Sequence, residues 1–308
     1  MILLNSINII FELIMKALAN NIEIEYDTFG DPSGKPLLLI MGLGTQMIAW
    51  LPEFCELFVE KGFYVVRFDN RDVGLTTKFG ECGAPKVMEV ITKLQNGEEV
   101  TSPYSLEDMA ADAIGLLDHL NVQKAHICGA SMGSMIAQVI AINYPSRVLS
   151  LVPIMGSTGN PDLPQATPQA MQALVVPMPT KREKYIKESV KRGRILYGEG
   201  FPYNEEVRMK YAAEAYDRCF YPEGFSRQLT AILTNGDRSK KLNSLDVPTL
   251  VIHGKDDPLV PMEGGIAISE KIPGAELLLI DGMGHSLPPE TWSQIVDAIN
   301  KNAEKANN

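Results

Sequence analysis

Gly129-Ala130-Ser131-Met132-Gly133 decides how this chain reads. Ahead of it, Ala125 to Cys128 is a short apolar run of the kind that forms a strand. Behind it, Met135 to Ala141 is rich in helix formers. A G-x-S-x-G run at such a junction has the pattern of a nucleophile elbow, in which a serine stands at the tip of a sharp strand-to-helix turn. Glycines two residues to either side let neighbouring backbone pack close enough to hold that turn.

A serine hydroxyl is a weak nucleophile near neutral pH and needs a base, itself oriented by a carboxylate. The chain has four histidines, so the base can be sought by elimination. His119 ends a helical pattern at the surface. His126 lies inside the strand leading to Ser131 and reads as a packed or hydrogen-bonded core residue, and His253 closes a buried strand. His285, in Gly282-Met283-Gly284-His285-Ser286 directly after the last strand, sits in a loop that can bring an imidazole over the elbow. The acid should leave the preceding strand, in His253-Gly254-Lys255-Asp256-Asp257-Pro258. Asp256 and Asp257 both qualify, and both also suit a plain turn. Pro258 biases residue 257 towards an extended backbone, which favours Asp257. Oxyanion donors are expected from the N–H of Met132, at a helix N-terminus, and from Gly42-Leu43-Gly44-Thr45, with Leu43 preferred. That Gly-rich loop reads equally as a tight turn, and no Lys-Ser/Thr follows it to make a phosphate cradle. The chemistry implied by these residues uses no cofactor and no metal ion.

Around this nucleus, short apolar runs alternate with helical patterns, the signature of an α/β fold with a mostly parallel twisted sheet flanked by helices. Strands are expected at Ile22–Tyr26, Leu37–Met41, Tyr64–Phe68, Ala125–Cys128, Leu149–Ile154, Thr249–His253 and Glu276–Ile280. Helices are expected at Ser105–Leu120, with Ser105 as N-cap and Asp108 three residues on, and at 131–143, 262–271 and 290–300. The alternation stops after Ile154. Residues 156–245 carry helical patterns and many prolines but no convincing strand, which predicts a helical lid inserted into a core formed by 22–155 and 246–308. Its Met and aromatic residues (Met171, Met178, Phe201, Tyr203, Tyr211, Tyr216, Phe220, Tyr221, Phe225) read mostly as lid core, with a minority lining an apolar pocket.

The formal net charge of −10 argues against a nucleic-acid partner, since a phosphate backbone calls for basic surface. The basic cluster Lys181 to Arg194 is interleaved with Glu183 and Glu188 and reads as a solvated helix face. Four cysteines without a C-x-x-C pair fit free thiols in a reducing, cytoplasmic setting. Residues 1–21 form an apolar extension. Its first eighteen residues carry Asn5, Asn8, Glu12 and Lys16, which fits neither a secretory signal nor a membrane span. Two readings remain: an amphipathic helix docked on the body, a partner subunit or a membrane surface, or a leader to an alternative start at Met15.

From about Ile22 onward the chain resembles the α/β-hydrolase superfamily, and within it the esterases related to aclacinomycin methylesterase. The resemblance rests on Leu38-Leu39-Ile40-Met41-Gly42, Phe68-Asp69-Asn70-Arg71-Asp72-Val73-Gly74, Gly129 to Gly133, His253-Gly254 through Pro261, and Gly284-His285. It implies Ser131 as nucleophile, Asp257 as acid, His285 as base, a helical lid, and hydrolysis of a small-molecule carboxylic ester. The chain order Ser131, Asp257, His285 is that of α/β-hydrolases. Two departures stand out: Met41-Gly42 replaces the usual His-Gly before the oxyanion loop, and Ser134 replaces a common second glycine after the elbow. Asp69 to Gly74 is read as a structural turn without chemistry. Rival activities on the same scaffold are a C–C bond hydrolase of ring-cleavage products and a cofactor-free haloperoxidase; a non-enzymatic ligand-binding protein ranks below both because all three triad residues are present.

Overall fold

The structure is a computed structural model that describes residues 15–307. The apolar stretch before Met15, with its docking-helix and alternative-start readings, lies outside the described residues. Eight strands make one sheet: β1 (Met15–Ala19), β2 (Ile22–Phe29), β3 (Lys35–Ile40), β4 (Phe63–Phe68), β5 (Ala125–Ala130), β6 (Val148–Ile154), β7 (Leu250–Gly254) and β8 (Glu276–Ile280). Their order is β1-β2-β4-β3-β5-β6-β7-β8. Strands β1 and β2 run antiparallel to each other, β2 runs antiparallel to β4, and every other neighbouring pair is parallel.

The helices are α1 (Pro52–Val59), α2 (Val87–Gln95), α3 (Leu106–His119), α4 (Met132–Asn143), α5 (Pro168–Val175), α6 (Arg182–Tyr197), α7 (Glu205–Arg218), α8 (Glu223–Asn235), α9 (Ser239–Leu242), α10 (Glu263–Lys271) and α11 (Trp292–Glu304). Period-two alternation distributes the strand side chains to the two faces of the sheet. Leu38, Ile40, Val66 and Ile127 join α3 and α4 in one core. Leu37, Leu39, Val65 and Cys128 join α1 and α11 in the other. The expected cap of α3 is a full capping box: Ser105 Oγ accepts from Asp108 N–H, and the Asp108 carboxylate accepts from Ser105 N–H.

The sheet begins earlier than the sequence reading had it. Met15–Ala19 is a strand, not the end of a helix, and it pairs with β2 through a two-residue turn at Asn20 and Asn21. Both asparagines have positive φ, +48° and +63°, which matches the right-handed twist of a hairpin. Asn20 Nδ2 also donates to Asp112 Oδ1 at 2.8 Å, tying the turn to α3. The Asn-Asn pair was the available signal, and the apolar run before it obscured the signal.

Parallel register brings the C-terminal ends of β3, β5, β6, β7 and β8 to one rim, where ligands gather in open α/β sheets. Helices α5 to α9 lie between β6 and β7. The basic run on α6 is a surface ion-pair face, with Arg182–Asp217, Arg192–Glu188 and Arg194–Glu205 contacts. No helix among the described residues is long and apolar enough to cross a membrane.

Candidate active site

Ser131 stands between β5 and α4 with φ +57° and ψ −120°, a conformation that costs a non-glycine residue about 1–3 kcal/mol. The surroundings enforce it. Ser131 N–H donates to Ile154 O at 2.9 Å. A Cβ on Gly129 would lie 2.0 Å from Gly133 O, and one on Gly133 would lie 2.1 Å from Ile40 O. Both glycines of the motif are therefore demanded by backbone against backbone. At the departure after the elbow, Ser134 Oγ donates to Ser131 O at 2.7 Å, and it fills the space against Gly156 that a Cβ there would need.

Three distant side chains meet at this turn. His285 Nε2 lies 2.9 Å from Ser131 Oγ, and His285 Nδ1 lies 2.7 Å from Asp257 Oδ2. Asp257 Oδ1 accepts from Leu259 N–H at 2.9 Å and Val260 N–H at 2.8 Å, so both carboxylate oxygens are engaged. Burial by itself would raise this carboxyl, but the His285 imidazole, contacts with His253 and His285, and the Val260 N–H together hold it far below the ordinary carboxylate range. Asp256 is exposed, whereas Asp257, which the sequence favoured, is buried and meets His285. The loop carrying the imidazole is clasped by the end of α6: His285 N–H donates to Leu196 O at 2.6 Å and Gly284 N–H to Tyr197 O at 3.0 Å.

Of the other histidines, His119 and His126 stay apart from this relay. His119 packs edge-on against Tyr26. His126 Nδ1 bonds Ser150 Oγ at 2.8 Å, and burial, with Lys35 adding to it, pushes its pKa down to about 4. His253 was passed over in the sequence as a strand end, yet it touches the acid loop. Its Nε2 lies 2.8 Å from Val260 O and 3.5 Å from Asp257 Oδ2. Nothing in its spacing distinguishes it from any other buried strand residue.

The loop after β3 runs beside the serine, close enough that a Cβ on Gly42 would lie 3.1 Å from Ser131 Cβ. Gly44 N–H is taken by Gln228 Oε1 and Thr45 N–H by Gly42 O. Among the described residues the N–H groups of Leu43 and Met132 have no acceptor. No group of three His, Cys, Asp or Glu side chains among the described residues is placed to hold a metal ion.

Residues 35–290 match the alpha/beta hydrolase fold family. This chain belongs to that family. Rhodomycin D methylesterase DnrP of Streptomyces peucetius is 29% identical over 290 residues, 88% of this chain and 91% of the relative. A 2-hydroxy-6-oxononadienedioate/2-hydroxy-6-oxononatrienedioate hydrolase of Paraburkholderia phymatum is 30% identical over 199 residues, 64% of this chain and 66% of the relative. Among solved structures, the esterase RhEst1 of a Rhodococcus species superposes with a TM-score of 0.72 at 19% identity, covering 95% of this chain and 99% of that one.

In this α/β hydrolase the serine opens onto a cavity of about 850 Å³. Its wall is made by the strand rim and by α5 to α8, and includes Met41, Met132, Met135, Met155 and Met171 with Trp50 and Phe54. Arg208 is the one Lys or Arg among the lining residues, and its guanidinium lies over the Tyr197 ring at 5.0 Å. Of the nine Met and aromatic residues singled out in 156–245, Met171 and Tyr211 line the cavity. Among the others, Tyr216 stacks on Phe220 at 4.8 Å, and Phe201 packs on the sheet core.

Proposed function

We propose that this α/β hydrolase cleaves carboxylic esters through an acyl-enzyme, with Ser131 as nucleophile, His285 as general base and acid, and Asp257 as orienting acid. The observation that carries the reading is the continuous chain of bonds, 2.9 Å from Ser131 to His285 and 2.7 Å from His285 to Asp257, beneath a strained serine. Ser131 Oγ attacks the ester carbonyl while His285 Nε2 takes its proton, and the ionised Asp257 stabilises the imidazolium. Leu43 and Met132 N–H groups hold the oxyanion. His285 then protonates the departing alcohol, and a water attacks the acyl-enzyme by the same route. The relay needs neither cofactor nor metal ion.

The substrate is an apolar ester, because a cavity of about 850 Å³ with a methionine-rich wall and a single Lys/Arg side chain offers mainly apolar contact. That volume, and the methylesterase activity named for the Streptomyces relatives, favour methyl esters of bulky ring-bearing acids over short acetates. Helices α5 to α8 act as the lid of that cavity. The test is hydrolysis of a panel graded by acyl size, from p-nitrophenyl butyrate to methyl esters of polycyclic acids. Ser131→Ala abolishes turnover and labelling by a fluorophosphonate while the circular dichroism spectrum stays unchanged. Turnover that survives Ser131→Ala rules the proposal out. A ring-fission diketone hydrolysed faster than every ester would move the assignment to C–C bond cleavage.

A further inference from the structure

Helix α8, which also lines the cavity through Leu229, Ile232 and Leu233, holds the oxyanion loop by a side-chain hydrogen bond. Gly44 N–H donates to Gln228 Oε1 at 2.7 Å, and Gln228 Nε2 donates to Arg71 O at 2.7 Å. Gln228 is fully buried, and both ends of its amide are used, so a flipped amide would face donor with donor and acceptor with acceptor. Phe225, one turn earlier on α8, closes on the same residue: Gly44 has φ +63°, and a Cβ there would lie 2.9 Å from the Phe225 ring.

The helix is itself firmly seated. Gly224 allows an approach so close that a Cβ would lie 2.0 Å from Asp72 O. Arg227 Nε and Nη2 bond the Asp72 carboxylate at 2.8 and 2.9 Å. The turn from Asp69 to Gly74, to which the sequence assigns no chemistry, is thus the platform that fixes α8. It also holds the residue that leads into the oxyanion loop, since Asn70 Nδ2 donates to Met41 O at 2.9 Å.

We infer that Gln228 is a positioning residue for the oxyanion hole, an inference that rests on the ester-hydrolase reading. Gln228 pins the Gly44 peptide and thereby the neighbouring Leu43 peptide, whose N–H is the free donor of the Leu43-Gly44-Thr45 run. An oxyanion donor contributes fully only if it is already aimed when charge develops, because reorientation during the reaction subtracts from its effect. The loop is thus ordered from α8, through Gln228 on the Gly44 N–H and the Phe225 ring against Gly44.

The experiment compares Gln228→Leu and Gln228→Glu with the unaltered protein on p-nitrophenyl butyrate. It reads kcat, KM, the melting temperature, and inhibition by phenylboronic acid, whose tetrahedral adduct on Ser131 places an oxygen in the hole. Gln228→Leu lowers kcat by roughly 10–100-fold, a fraction of the loss of a whole donor, with KM within about threefold. Its boronate Ki rises by the same factor as kcat/KM falls. Gln228→Glu, which keeps an acceptor for Gly44 N–H and, neutral in this buried position, an O–H donor for Arg71 O, recovers most of both. Unchanged kcat and Ki in Gln228→Leu overturn the inference, as does equal damage in the two variants through KM alone. Should Gln228→Leu fail to fold, Gly44→Ala displaces the same peptide against Phe225 and must give the same kcat-selective loss; a normal kcat there overturns the inference. An unaltered protein that turns over no ester and binds no boronate sinks the ester-hydrolase reading itself, whereas an active one with an unimpaired Gln228→Leu sinks only the role of Gln228.

Discussion

Asp257→Asn changes one atom and tests the whole relay. Asp257 Oδ1 faces two backbone donors, Leu259 N–H at 2.9 Å and Val260 N–H at 2.8 Å. An asparagine must keep its carbonyl oxygen there, because the flipped amide would set an NH₂ against both donors and lose two buried hydrogen bonds, at about 1–3 kcal/mol each. The NH₂ therefore takes the place of Oδ2, 2.7 Å from His285 Nδ1, and donates to it. That selects the imidazole tautomer with its proton on Nε2, which donates to Ser131 Oγ instead of accepting from it. The base is lost although every atom stays in position. A wrong tautomer of this kind lowers kcat by ~10⁴, or about 5 kcal/mol of transition-state stabilisation, with KM little changed. Steady-state hydrolysis of p-nitrophenyl butyrate measures the loss, and ¹⁵N spectra of the imidazole read the tautomer. The neighbouring Asp256→Asn, on an exposed side chain, leaves kcat within about threefold. An Asp257→Asn enzyme within tenfold of normal kcat would refute the reasoning. Stability carries a matching signature. The Asp257 carboxyl is depressed in the folded protein, so its ionised form contributes stability above the ordinary aspartate range near pH ~4, lost as pH falls through the folded value. The melting temperature of Asp257→Asn lies below normal at pH 7, and the gap closes in acid.

Gly133→Ala puts a methyl group 2.1 Å from Ile40 O in the middle of the sheet, where neither backbone can yield cheaply. Its melting midpoint in urea corresponds to a loss of about 1–3 kcal/mol, and kcat falls with the displaced Met132 N–H; an unaffected midpoint would show that the packing at the elbow is looser than described. Glu25 is buried, its Oε2 has no hydrogen-bond partner among the described residues, and Arg218 Nη2 is 3.8 Å from Oε1. Burial raises its carboxyl, and Arg218 only partly offsets this. A raised folded value means stability that is fully present in acid and lost as pH rises. Glu25→Gln accordingly melts higher than the unaltered protein at pH 8 and no higher at pH 4, a comparison that thermal denaturation at the two values settles; a lower melting temperature at pH 8 would contradict it.

Much of the framework was legible in the sequence because it is encoded locally. The Gly-x-Ser-x-Gly run forces its turn by steric contact within a few residues, Ser105 and Asp108 cap their helix across three positions, and two-fold alternation in Leu37 to Ile40 assigns each side chain to a face. The placement of Ser131, Asp257 and His285 after the parallel strands β5, β7 and β8 followed from the same periodicity, since parallel register carries all those ends to one rim. Folding decided what depends on approach between distant segments. Pro258 gave Asp257 a local preference over Asp256, but the contact with His285 and the burial that sets it apart arise only in the fold. The grip of Gln228 on Gly44 spans 184 positions, that of Gln228 on Arg71 spans 157, and a lone buried glutamine on a helix has no sequence pattern that announces a partner. The cavity is likewise a property of the inserted helices as packed: Met171 and Tyr211 face it, while Tyr216 and Phe220 spend their rings on each other. Composition alone cannot tell a wall from a core, because burial on either side gains the same apolar contact.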